Sequence, residues 1–128
     1  MLKFPSLKEL DRVTSQRVWL CAVPVDMRCG FDALSQVARE CTGLDVMSGG
    51  LFVFIGKRRE RLKVLYWDVD GYAFWYKRLE AGTLRLPRVE QGARVVELSA
   101  SEFAMLLEGI DLRSIKRRRR FEVPCRTG

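Results

Sequence analysis

The residues of this chain best suited to chemistry are carboxylates and cations. Asp68 and Asp70 flank Val69, and Glu80 lies ten residues beyond Asp70. Carboxylates on a strand can hold paired magnesium ions for phosphoryl transfer, because hard cations take oxygen ligands. The plainer role is a turn served by Asp70 and a solvated Asp68 at a strand end. No third carboxylate clearly converges on this pair, so a metal-dependent nuclease is the minor reading. Histidine is absent from the chain, which removes the commonest general base at neutral pH and both Ser-His and Cys-His activation. The cysteines at 21, 29, 41 and 125 lack the spacing of a zinc half-site. Cys21, Cys29 and Cys41 read as small fillers in or near the core, and Cys125 as a tail thiol. The chain therefore does not read as an enzyme, and no catalytic residue, metal or cofactor is expected.

The cations are more suggestive. Lys57, Arg58, Arg59 and Arg61 crowd one connection, Lys63 continues along the next strand, and Lys77 and Arg78 end another. A hairpin with a cationic tip can straddle a phosphate backbone or enter a groove as a two-stranded ribbon. Polar loops are also often basic by default. Further on, Lys116, Arg117, Arg118, Arg119 and Arg120 form an unbroken run. Such a run repels itself and stays solvated unless a polyanion neutralises it. Neutralising about five phosphates on duplex DNA would give a slope near −4.5 in log affinity against log salt. Contacts of this kind carry no sequence preference.

Aromatic residues form a third group. Trp67, Phe74, Trp75 and Tyr76 cluster around Asp70-Gly71, with Tyr66 and Tyr72 beside them. Exposed, they could stack bases or anchor a protein partner, with Trp67, Trp75 and Tyr76 as the candidate surface. Buried, they are core.

These side chains need elements to position them. Arg17 to Val23 is β-branched and aromatic enough for a first strand, which Pro24 should stop. Asp26 is the expected N-cap of a helix on which Phe31, Leu34, Val37, Ala38 and Cys41 share a face, closed by Gly43. Leu51 to Ile55 and Leu62 to Asp68 read as strands joined by a polar connection. Asp70-Gly71 is the expected tight turn, with Gly71 supplying a positive φ that valine would resist. Tyr72 to Arg78 follows as a strand, and Thr83 to Leu86 alternates until Pro87, completing an antiparallel meander of three or four strands. Ala93 to Leu98 suggests a short strand. Ser99 and Glu102 have capping-box spacing ahead of Phe103, Leu106, Leu107 and Ile110.

The expected class is α+β: an antiparallel meander packed by an N-terminal amphipathic helix and a C-terminal helix, with a basic tail. A chain of 128 residues, 48% hydrophobic and 30% charged, suits one globular domain. We place that domain at residues 1–112 and a basic, flexible tail at 113–128. No apolar run approaches the length of a membrane span, and no signal-peptide core follows the first residues. A cytoplasmic location is expected, the cysteines suiting a reducing compartment. The net charge of +7 and isoelectric point near 9.6 favour a polyanionic partner, nucleic acid or membrane surface.

Several segments together resemble a known family. Pro24-Val-Asp-Met-Arg-Cys-Gly-Phe-Asp-Ala-Leu34, Ser48-Gly-Gly-Leu-Phe-Val-Phe54, Leu62-Lys-Val-Leu-Tyr-Trp-Asp-Val-Asp-Gly71, Phe74-Trp-Tyr-Lys-Arg-Leu-Glu80 and Leu86-Pro87 occur in order. They look like the accessory protein, often labelled TnpB, of bacterial insertion sequences of the sixty-six family. The resemblance spans residues 17 to 87. It implies a short product, encoded beside the transposase and needed for transposition, with no established catalytic residues. The acidic-triad transposase is a separate chain. Cys29 stands where the family typically has a basic residue, which argues against phosphate binding by the turn at Arg28. The arginine run lies outside the matched segments and inherits no role. Three functions follow from these readings. The first is a non-catalytic accessory factor that associates with DNA, the transposase complex, or both. The second is an adaptor contacting the transposase or the other accessory product, with little DNA affinity of its own. The minor third is the nuclease.

Overall fold

The computed structural model describes residues 17–108. β1 (Val18–Val25) leads to α1 (Phe31–Thr42) and a single 3-10 turn at Val46–Ser48. β2 (Leu51–Gly56), β3 (Arg61–Asp68) and β4 (Gly71–Arg78) follow, then β5 (Val95–Leu98) and α2 (Ala100–Glu108). The strands form one sheet in the order β4-β3-β2-β1-β5.

The sheet is mixed. β2, β3 and β4 make the expected antiparallel meander, with Val53 opposite Val64 and Leu65 opposite Phe74. β1 instead runs parallel to β2, Val18 opposite Leu51. The helix between these two strands returns the chain to the end where it began, which a parallel pair requires. Every residue of β2 is buried, and its unbroken apolar run is the pattern of a strand covered on both faces. β5 adds antiparallel to the free edge of β1.

Pleating divides the side chains into two cores. On one face Leu20, Val53, Ile55, Leu62 and Val64 pack with Phe103, Leu106 and Leu107 of α2. On the other, Cys21, Phe52, Phe54 and Leu65 pack with Leu34 and Ala38 of α1. The two helices thus cover opposite faces, and each fully buried Phe or Leu contributes about 1.5–3 kcal/mol through burial.

Four expectations are corrected. Pro24 does not stop β1. Pairing with β2 lapses between Cys21 and Val25, so a residue without an N–H sits where no ladder bond is needed. Asp26 does not cap α1; Gly30 holds that position, and the Asp26 carboxylate accepts from the backbone N–H of Arg28 at 2.9 Å. In the β3–β4 turn the positive φ falls on Val69, at 58°, and not on Gly71, which pairs with Asp68 as the first residue of β4. Thr83 to Leu86 is not a strand. Its Leu84 is buried, with its N–H bound to the carbonyl of Arg59 at 2.6 Å.

Two end signals read from sequence are present. Gly43 closes α1 at φ 75°. At α2 the Ser99 hydroxyl accepts from the Glu102 N–H at 3.1 Å, while the Glu102 carboxylate accepts from the Ser99 N–H at 2.9 Å. Ile110, the basic run from Lys116 to Arg120, Cys125 and the proposed tail at 113–128 lie outside the described residues.

Candidate nucleic-acid interface

Among the described residues the two ends of the sheet differ in charge. Val25 at the end of β1 lies opposite Gly56 at the end of β2, and Arg61 at the start of β3 lies opposite Arg78 at the end of β4. Topology therefore brings Arg28, Lys57, Arg58, Arg59, Arg61 and Arg78 to one end of the sheet. Asp68 and Asp70 sit at the opposite end, on the β3–β4 turn.

Among the carboxylates near the basic end, three are paired with arginines. Asp26 meets Arg28 at 2.8 Å, Glu80 meets Arg78 at 3.3 Å, and Glu60 meets Arg61 at 3.9 Å. The Arg28 guanidinium holds the Asp26 carboxyl well below the usual carboxylate range, helped by the Arg28 backbone N–H and the charge of Lys57. Lys57, Arg58 and Arg59 stand outside these ion pairs and are exposed. The β2–β3 tip that carries them is held in place. The Arg59 N–H donates to the Gly56 carbonyl at 3.0 Å, the Arg59 carbonyl is held by Leu84, and Leu79 N–H donates to the Glu60 carbonyl at 2.7 Å. Arg59 itself takes a positive φ of 59°.

Beside the tip, outside the carboxyl ends of β1 and β2, lies a cleft of about 300 Å³. Val25, Met27 and Gly56 line it together with Lys57, Arg58 and Arg61. Ligands of open α/β sheets settle in such crevices beyond the ends of parallel strands. The parallel pairing that creates this crevice was not among the expectations from sequence. The signal for it was the strand–helix–strand order of β1, α1 and β2.

Two of the expected cations are half-buried and bonded within the fold. The Lys63 ammonium donates to the Cys29 carbonyl at 3.0 Å and lies over the rings of Phe74 and Tyr76 at 4.8 and 5.7 Å. Partial burial lowers its pKa, opposed by the charge of Asp26. The Lys77 ammonium donates to the Leu107 carbonyl of α2 at 2.5 Å. Both lysines tie secondary-structure elements together.

Pleating separates the aromatic candidates. Trp75 packs with the α2-side core. Trp67 and Tyr76 lie on the α1 face, where Trp67 meets Tyr72 edge-on at 5.2 Å and Tyr76 is 47% exposed. Phe31, 43% exposed, stacks on Phe74 at 4.4 Å. The carboxylates do not converge either. Eight residues of β4 separate the Asp68–Asp70 turn from Glu80, roughly 25 Å at the rise of an extended strand. Among the described residues no three His, Cys, Asp or Glu side chains gather as metal ligands do.

Comparison with known families decides the lineage. The model of the IS66 Orf2-like protein family matches residues 16–117, most of the chain and more than the segments read from sequence. The chain belongs to the IS66 Orf2-like family. It is thus an accessory protein of that insertion-sequence family, which implies a role in transposition. Two relatives come from Sinorhizobium fredii (strain NBRC 101917 / NGR234). The uncharacterized protein y4hO is 39% identical over 97 residues, covering 76% of this chain and 83% of its own. The uncharacterized protein y4jC is 35% identical over 102 residues, covering 80% and 86%. No solved structure matches. Among the described residues no helix is long and apolar enough to cross a membrane.

Proposed function

We propose that this IS66 Orf2-like protein is a non-catalytic accessory factor of transposition that holds DNA through phosphate contacts at the basic end of its sheet. The observation that supports this reading is the β2–β3 tip, where Lys57, Arg58 and Arg59 are exposed beside carboxylates already paired with arginines. Arg61 and Arg78 flank the tip from neighbouring strand ends. Contacts from such a tip position a protein on the duplex and do not read its sequence. The basic run at Lys116 to Arg120 would add affinity of the same kind.

The test is fluorescence anisotropy of the full chain with labelled element-end and scrambled duplexes across a salt series. Replacing Lys57, Arg58 and Arg59 together with alanine should flatten the slope of log affinity against log salt by about 2.7, three contacts at roughly 0.9 each. A slope unchanged by the triple replacement would remove the tip from the interface. Absence of duplex binding at low salt would favour the second reading, an adaptor for the transposase. Its support is the exposed aromatic pair Phe31 and Tyr76 on the α1 face, and co-purification with the transposase lost on Phe31→Ser would test it.

A further inference from the structure

The geometry points to a phosphomonoester site in the cleft beside the basic tip, fitted to the terminal phosphate of a nucleic-acid strand or of a free nucleotide. The inference rests on reading the tip as an anion-binding surface and adds a defined end-group pocket to it. Three observations carry it. The cleft lies beyond the carboxyl ends of the parallel strands β1 and β2, and its volume of about 300 Å³ is at the lower edge of the range for small-ligand sites. That is room for a phosphate with its sugar, and too little for a duplex to run through. Its lining pairs an apolar floor of Val25, Met27 and Gly56 with the cations Lys57, Arg58 and Arg61.

The third observation is Arg61. Its Nε is shut off from solvent and has no hydrogen-bond partner, the nearest carboxylate oxygen, on Glu60, standing at 3.9 Å. A buried donor left unmade is costly, and a small turn of the partly exposed Arg61 guanidinium would let a phosphate oxygen in the cleft supply the acceptor. Of the two carboxylates at the rim, Asp26 is bonded to Arg28 at 2.8 Å while Glu60 stands 3.9 Å from Arg61, so the repulsion of an incoming anion by Asp26 is reduced. A terminal phosphate suits this setting better than a backbone phosphodiester. It carries close to two negative charges at neutral pH and three acceptor oxygens, which an arginine fork and two further cations can share.

The experiment compares matched duplexes of one sequence bearing 5′-phosphate or 5′-hydroxyl ends, by anisotropy with the full chain. A parallel arm titrates thymidine monophosphate and thymidine while amide chemical shifts of residues 25–28 and 56–61 are followed. Phosphorylated ends should bind about tenfold tighter. The ratio should fall to near one in Arg61→Gln, with Arg61→Lys restoring part of it and melting temperatures showing that both variants fold. A preference for phosphorylated ends that thymidine monophosphate does not compete away assigns the pocket to strand ends. Cleft shifts with the nucleotide, and none with thymidine, assign it to free phosphomonoesters even if neither duplex binds, in which case the DNA reading falls alone. Equal affinity for both duplexes with no cleft shifts would overturn the pocket, and steep salt dependence in that same experiment would leave the DNA reading standing.

Discussion

Val69 has a φ of 58° and is 89% exposed. A β-branched residue pays roughly 1–2 kcal/mol for the left-handed region, and here no buried contact offsets it. Val69→Gly is therefore expected to stabilise the protein by about 1 kcal/mol, the gain reduced by the added freedom of the unfolded chain, and thermal melting checks it. Gly71 behaves differently from the expectation drawn from the Asp-Gly dipeptide. It has no positive φ, and a Cβ placed on it would meet no heavy atom within 4 Å. Gly71→Ala should accordingly change stability by less than about 0.5 kcal/mol. The dipeptide was a sound signal that a turn exists. Which residue takes the strained angle depends on strand register, and register is set by pairing with β3.

Charge adds a second effect at this scale. The Arg17 guanidinium, bonded to Glu97 at 2.7 and 2.8 Å, draws the Glu97 carboxyl below its ordinary value. Because the folded value is depressed, the stabilisation is fully present above the ordinary carboxylate range and is lost as pH falls through the folded value. The melting-temperature difference between the wild type and Glu97→Gln should therefore be largest near neutral pH and vanish in strong acid. Both partners are exposed, so the difference should also shrink with added salt.

At the scale of elements, two lysines read from the sequence as phosphate contacts also bond across elements. Lys63 joins β3 to the turn before α1, and Lys77 joins β4 to α2 at Leu107. Lys63→Met should cost about 1–2 kcal/mol, from the unsatisfied Cys29 carbonyl and the lost cation–π contacts. The slope of DNA affinity against salt should stay close to that of the wild type, which separates this role from that of the tip. The capping box of α2 was legible in sequence because its chemistry is local: Ser99 and Glu102 need only each other and the intervening turn. Removing the hydroxyl in Ser99→Ala should cost about 1 kcal/mol in thermal or denaturant unfolding. The strand expected at Thr83 to Leu86 failed for the opposite reason. Its alternation is real, but Leu84 faces the core while its N–H is taken by Arg59, so the segment has no neighbouring strand to complete a ladder.

Among the described residues the sheet is polar along its strands, with cations at the β2–β3 tip and Asp68 and Asp70 on the opposite turn. A polyanion approaching from solution would be steered toward the first end and away from the second. Neutralising the acidic turn in a double Asp68→Asn, Asp70→Asn variant should thus leave DNA affinity unchanged or raise it severalfold at low salt. The triple alanine replacement of the tip should lower it. Binding assays at two ionic strengths distinguish these outcomes, and equal effects at both ends would mean that the protein responds to net charge alone.

The sequence by itself determined the segments that depend on near neighbours: the helical face of α1 and its glycine cap, the β2–β3–β4 meander, the capping box and the cationic connection. It also carried the lineage, since the quoted motifs are contiguous along the chain. Only the tertiary structure decided that β1 runs parallel to β2 and β5 closes the far edge. It also decided that Trp75 belongs to one face and Trp67 and Tyr76 to the other, and that Lys63 and Lys77 donate to backbone carbonyls of neighbouring elements. The physical reason is common to all of these. Each depends on which strand lies beside which and on what register, a choice made by burying both faces of the sheet at once, and no residue's own neighbours in sequence encode it.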